Sequence, residues 1–326
     1  MSNLCPDAAV LVMSFGGPSR MEEVEDFLER FLGKRPLPEE RVAAIKEKYR
    51  LIGGGSPLAE ITRRQAEAIE SELAGRGCNI RVAVGMRFSE PSVEHAVGRL
   101  AGWGIRKLAA LPLTPHRSRL STGPYFTALK EAVEQRKAGF EVLPVAGWHT
   151  HPLFLQALEE RINEGLSLFA HDSRERVEII FSAHSLPEMS VAGDPYVEEI
   201  LETIRGVSER IGQVRWHLAF QSKAPGPGPW LGPDVAEVMT DLSAKGRSSV
   251  LVVPVGFVSD HLETLYDLDI EYRNHAEALG MEYERSPSLN DSSTFIRALA
   301  EVVLERLEKE AGANGPGIGE KMEKSL

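Results

Sequence analysis

Short apolar runs alternate along the chain with longer segments in which apolar residues return every three or four positions. The short runs fall at residues 8–15, 80–88, 107–115, 140–147, 178–184, 214–221, 249–257 and 281–285. Their near-continuous apolar character is that of strands covered on both faces. The segments between them, at 21–32, 38–49, 58–74, 91–102, 125–136, 152–168, 196–211, 234–244 and 262–279, carry helical spacing, and a last helix is predicted over 293–307. Strands separated by helical periods build βαβ units, so the predicted class is α/β with parallel sheets.

The alternation resets in the polar stretch AHDSRER at 170–176. Two similar α/β halves follow as the expectation, each with its own sheet. The first spans 1–165, with a C-terminal helix at 290–312 packing back on it. The second spans 170–290 and carries His184 and Glu263. The segment 313–326, rich in Gly and charge, reads as a mobile tail.

Composition narrows the function classes. The chain has 326 residues, 42% hydrophobic and 26% charged, which suits a globular protein. Its formal net charge of -11 argues against a general nucleic-acid binder, which needs a basic face. The cysteines are Cys5 and Cys78, with no CxxC, so neither a disulfide framework nor a zinc or iron–sulfur site is expected. The N-terminal stretch lacks the basic start of a signal peptide, and no run reaches the ~18 apolar residues of a membrane helix. A cytoplasmic location is the expectation.

Four stretches place polar or glycine-rich residues directly after strands. FGGPS at 15–19 permits a tight βα turn, but no GxGxxG or Walker motif supports a nucleotide site. IGGGSPL at 52–58 spends three glycines where the backbone packs against something flat or approaches a ligand, a mobile loop being the alternative. FSAHSLP at 181–187 ends a strand on His184, at the carboxyl edge where open α/β sheets bind ligands. VPVGFVSDHLETLYDLDIEYR at 253–273 puts Glu263, Asp267 and Glu271 on one helical stripe, with Asp269 nearby and no basic residue before Arg273. A lone strand-end histidine is compatible with a buried structural role, and an acidic stripe with a solvated face. Together at a sheet edge they are candidates for proton relay or divalent-cation handling.

These segments, with GMRF at 85–88, GDPY at 193–196, QSK at 221–223 and PWLGPD at 229–234, occur in the order seen in the ferrochelatases. Over about residues 8–310 the chain resembles that family, whose members insert ferrous iron into a porphyrin. The resemblance implies two Rossmann-like, chelatase-like halves with a porphyrin cleft between them. It implies that His184 and Glu263 face each other across the cleft as catalytic and metal-binding residues, with Asp267 and Glu271 as a proton or metal relay. Phe15, Ser56, Arg87, Phe88, Trp230 and Phe257 match positions that line the porphyrin site. Phe15 stands where coproporphyrin-using members often carry tyrosine and protoporphyrin-using members methionine, which excludes a phenol ligand to iron.

A neutral imidazole serves as base or metal ligand at physiological pH, and a carboxylate binds the cation and passes protons onward. Iron is a substrate in this reading, and no tightly bound cofactor or iron–sulfur cluster is expected. The partners are porphyrin and ferrous iron, acting on a monomer. Lys34, Arg35, Lys46 and Lys48 are available to meet the four propionates of coproporphyrin III, which is favoured slightly over protoporphyrin IX. A non-catalytic tetrapyrrole-binding protein and a cobalt chelatase on the same fold are the competing readings.

Overall fold

The computed structural model describes residues 7–33, 37–171, 173–212, 214–224 and 228–311. Cys5, Lys34, Arg35 and the predicted tail at 313–326 lie outside the described residues. Strand β1 (Ala8–Ser14) leads through a 3-10 turn at Met21–Glu23 to α1 (Val24–Leu32), α2 (Glu39–Leu51) and α3 (Leu58–Gly75). Then come β2 (Arg81–Met86), α4 (Val93–Ala101), β3 (Lys107–Pro112), α5 (Gly123–Arg136), β4 (Glu141–Pro144) and α6 (Pro152–Ser167). The second series is β5 (Glu178–His184), α7 (Glu188–Val191), α8 (Tyr196–Ile211), β6 (Arg215–Gln221), α9 (Val235–Ala244) and β7 (Ser249–Val253). It closes with a π-helix (Glu263–Tyr272), α10 (Arg273–Ala278), β8 (Glu282–Arg285) and α11 (Ser293–Ala311).

The strands form two four-stranded sheets with one connectivity, β2-β1-β3-β4 and β6-β5-β7-β8, parallel throughout. In each sheet the first strand lies inside and its successors fall on either side, so β1 and β5 occupy the switch points of the two sheets. Both are buried along almost their whole length, which explains their unbroken apolar sequence. The halves share one core: Val10 and Leu143 of the first sheet, Ile179 and Leu251 of the second, and Phe154, Leu158, Phe295 and Leu299 from α6 and α11. Helix α11 packs on α3 and α6, and α6 packs on α8. Burying one such side chain contributes roughly 1.5–3 kcal/mol, so this shared layer fixes how the two carboxyl edges face each other.

A polar brace adds to that layer. The Glu199 carboxylate on α8 accepts the backbone N–H and the Nε–H of Arg117, each at 2.6 Å, from the loop after β3. His116 Nε2 lies 2.9 Å from the Thr203 hydroxyl.

Several strands stop earlier than their apolar runs. The run at 249–257 pairs only over Ser249–Val253, because Val255 and Val258 leave the sheet edge yet stay in the core. The helix expected at 262–279 is two elements: i→i+5 geometry over Glu263–Tyr272, then a short α-helix.

Candidate active site

Strand β5 brings His184 to the carboxyl edge of its sheet, in register with Gln221 of β6. Gly256 lies against this edge. A Cβ there would meet Ala183 at 3.0 Å, so only glycine lets the loop after β7 cross the end of β5. That crossing sets the Phe257 ring near His184, with centroids 6.5 Å apart, and against His261 at 4.8 Å. The His184 backbone is held by the Tyr196 hydroxyl, which donates to its carbonyl at 3.0 Å.

The imidazole is oriented from both sides. Nδ1 lies 2.5 Å from the Ser185 carbonyl, an acceptor only, so Nδ1 carries a hydrogen. Nε2 faces Glu263 Oε1 at 3.5 Å. Burial opposes charge on this ring, but the Glu263 carboxylate and the Ser185 carbonyl outweigh it and push His184 up to about 9. Burial likewise favours the neutral acid at Glu263, yet His184 and then His261 hold it well below the usual carboxylate range. Each partner thus favours the charged form of the other, imidazolium beside carboxylate. Glu263 Oε2 is buried without a hydrogen-bond partner among the described residues.

The implied placement of His184 and Glu263 across the cleft from one another is overturned. Both belong to the second half, and a gap of 3.5 Å admits no macrocycle between them. They form one wall together.

The π-helix explains how the acidic stripe is presented. Arg285 grips Asp269 through two bonds of 2.6 and 2.8 Å, and the Tyr283 hydroxyl donates to the Leu268 carbonyl at 2.7 Å. Tyr272 donates to Asp234 Oδ2 at 3.0 Å. Asp269 is thus an anion bound to Arg285. Asp267 accepts from the Ser222 hydroxyl at 2.6 Å, and Ser222 holds a positive φ of 59° that aims it there. Burial raises the Asp267 carboxyl, against Ser222 and Lys48, which lower it. Gln221 donates to the Glu263 carbonyl at 2.9 Å, fixing the first turn.

The stripe has no basic residue of its own before Arg273, but one reaches it from outside the segment. Lys48 reaches from α2 of the first half to Asp267 Oδ1 at 3.4 Å and Glu271 Oε2 at 3.8 Å, its ammonium 4.3 Å from the Tyr266 ring centroid. It is engaged by carboxylates, as is Lys46, which pairs with Glu25. Neither stands free for a propionate.

The first half presents an aromatic edge. Phe15, next after β1, lies 4.8 Å from Phe88, 5.4 Å from Phe31 and 6.3 Å from Phe27, centroid to centroid. Leu262, the residue before Glu263, packs against this cluster, so the apolar edge and the charged edge meet. Tyr49 is buried in the same cluster, and burial, then the charge of Glu263, raise its hydroxyl above the usual phenol range. Arg87 stacks on Phe88 at 4.5 Å and Tyr125 at 5.6 Å and pairs with no carboxylate among the described residues. It borders a cavity of about 610 Å3 between α4 and α5, which His184 and Glu263 do not line.

Ser56 is buried. Its backbone N–H donates to the Pro18 carbonyl at 2.7 Å, and its hydroxyl accepts from Leu58 N–H at 3.3 Å. Gly55 needs to be glycine there, since a Cβ would fall 2.2 Å from the Ser19 carbonyl. The glycine run thus lets two loops pack backbone to backbone. Trp230 pairs with Pro187 in an isolated bridge, and its indole N–H is buried without a partner among the described residues.

Sequence reasoning assigned no role to Tyr196, Gln221 or Ser222, although GDPY and QSK contain them. The sequence signals were that Gln221 ends a strand, Ser222 follows it, and Tyr196 opens a helix.

The family model for ferrochelatase matches residues 7–307. A ferrochelatase of Geotalea uraniireducens (strain Rf4) is 42% identical over 321 residues, covering 93% of this chain and 98% of that protein. One of Deinococcus radiodurans is 38% identical over 297 residues, covering 90% of this chain and 94% of that protein. Among solved structures, SirB from Bacillus subtilis with Fe3+ is similar in fold, with a TM-score of 0.60 at 12% identity, covering 94% of this chain and 98% of that one.

Proposed function

This chain belongs to the ferrochelatase family, and from that premise we propose that it inserts ferrous iron into a porphyrin at the wall formed by His184 and Glu263. The observation that carries this reading is the ion pair of those two side chains at a sheet switch point, 3.5 Å apart and beside an aromatic edge.

Insertion replaces two pyrrole protons with one Fe2+, so the site must receive a dication and dispose of two protons. Glu263 Oε2, which makes no hydrogen bond among the described residues and lies 3.9 Å from His261 Nε2, is the first protein donor to the cation. The cation's charge then opposes the proton on His184 Nε2, which leaves toward Asp267 and solvent. The freed imidazole then takes one pyrrole proton at Nε2, hands it on toward Asp267 and solvent, and takes the second in turn, so both protons replaced by Fe2+ leave the site. The Glu263 carboxylate is the protein donor to the cation while Nε2 handles protons, and the remaining coordination comes from water and finally from the pyrrole nitrogens. The Phe15, Phe31 and Phe88 rings give the macrocycle an apolar face, with Phe257 and Trp230 bordering it from the second half. Binding energy gathered on that face is available to bend the ring toward the metal. Arg87, a cation beside Phe88 that pairs with no carboxylate among the described residues, serves propionates together with Ser56.

Coproporphyrin III is the proposed substrate, with protoporphyrin IX next. The enzyme works as a cytoplasmic monomer with no resident cofactor. No helix among the described residues is long and apolar enough to cross a membrane. Anaerobic assays with each porphyrin, and with Fe2+, Co2+ or Zn2+, test the reading through metalloporphyrin absorbance. No product from any pairing ends the chelatase reading. A faster rate with protoporphyrin IX ends the coproporphyrin preference alone.

A further inference from the structure

Lys48 holds an unusual place. It is the cation that pairs with Asp267 and Glu271 among the described residues, and it comes from the other half of the molecule. Its contacts are loose. At 3.4 and 3.8 Å they exceed the 2.7–2.9 Å typical of a charge-assisted N–H···O bond. The ammonium is partly exposed, as is Glu271, and such pairs contribute at most about 1 kcal/mol. Asp267 itself is fixed by Ser222 on its other oxygen, so Lys48 is not needed to orient it.

We propose that Lys48 is a displaceable counter-ion on the metal path. Its ammonium neutralises the stripe while the site is empty and yields Asp267 and Glu271 to an incoming divalent cation. A dication outcompetes a single positive charge for two carboxylates, and a lysine tethered by a flexible stem moves aside at little cost. Because Lys48 sits on α2, its release loosens one contact between α2 and the π-helix as metal arrives. This inference rests on the reading of Asp267 and Glu271 as the metal relay.

The test uses the full-length enzyme with Zn2+ as probe, measuring the KM for metal, the KM for porphyrin, and Zn2+ binding by calorimetry without porphyrin. Lys48→Met removes the charge and keeps the stem. The expected result is a metal KM and a Zn2+ dissociation constant lowered about threefold, with the porphyrin KM moving less. Lys48→Arg, whose fork holds carboxylates more firmly, is expected to raise the metal KM. In an Asp267→Asn, Glu271→Gln background, Lys48→Met should have no effect on the metal KM. An unchanged metal affinity in Lys48→Met overturns the proposal and leaves Lys48 a structural tie, as does a rise confined to the porphyrin KM, which makes it a propionate ligand. If Asp267→Asn and Glu271→Gln alone leave the metal KM untouched, the relay reading fails instead.

Discussion

The carboxyl edges of the two sheets arise from the same strand order yet carry opposite chemistry. After β1 the first sheet presents Phe15, backed by Phe27, Phe31 and Phe88. At the end of β5 the second presents His184, held against Glu263 and followed by Asp267. One topology thus supplies two equivalent platforms, and side chains divide the work. On the function proposed above, the apolar edge offers a face for a flat macrocycle, and the charged edge handles a cation and protons. The shared layer of α6 and α11 holds the platforms together.

The division of labour is open to attack at each edge. His184→Ala should give the largest effect, a fall in kcat of about 10²–10⁴-fold, as expected for a lost proton-transfer group, with an unaltered far-ultraviolet circular dichroism spectrum. A rate within a few-fold of the parent would remove the histidine from the chemistry.

Glu263→Gln should cost nearly as much, and it carries a pH signature. Glu263 holds His184 above its unfolded pKa of about 6.5. The stabilisation from that pair is therefore fully present below about pH 6.5 and is lost as pH rises through about 9. Urea unfolding of the two proteins across that window should show their difference shrinking, and proton NMR should find His184 titrating lower in the variant.

Phe15→Ala attacks the apolar edge. It should raise the porphyrin KM several-fold more than it lowers kcat. The stability loss should be about 1–2 kcal/mol, less than the 3–5 kcal/mol of a fully buried phenylalanine, because Phe15 is only partly buried. An effect on metal KM alone would break the proposed division.

The smallest change belongs to Ser222→Gly, which keeps the positive φ and deletes the hydroxyl. Losing one hydrogen bond of about 1 kcal/mol should raise the metal KM about threefold to fivefold and raise the Asp267 pKa, with porphyrin binding untouched.

Much of this was visible before the coordinates. The four-residue-spaced acids, the strand ending on His184 and the glycine run after α2 are local patterns, and local patterns follow from burial and backbone freedom. What the pattern misjudged was how those groups meet. Helical spacing over 262–279 reads as one α-helix, but Arg285, Tyr283 and Asp234 hold its first part in π form from outside it. Asp269 looks like another acid of the stripe and is instead neutralised by Arg285. Lys48 reads from sequence as a cation available to propionates and is a partner of Asp267, 219 residues further along the chain.

By itself the sequence determined the α/β class with its parallel strands, because apolar periodicity is a property of short segments, and it named candidate site residues by chemical type and resemblance. Only the tertiary structure decided that His184 and Glu263 share a wall, that the imidazole rests protonated, and which cation guards the acidic stripe. Charge state and pairing depend on distances of a few ångströms between distant segments. Those distances are set by how α6 and α11 clamp the two sheets together.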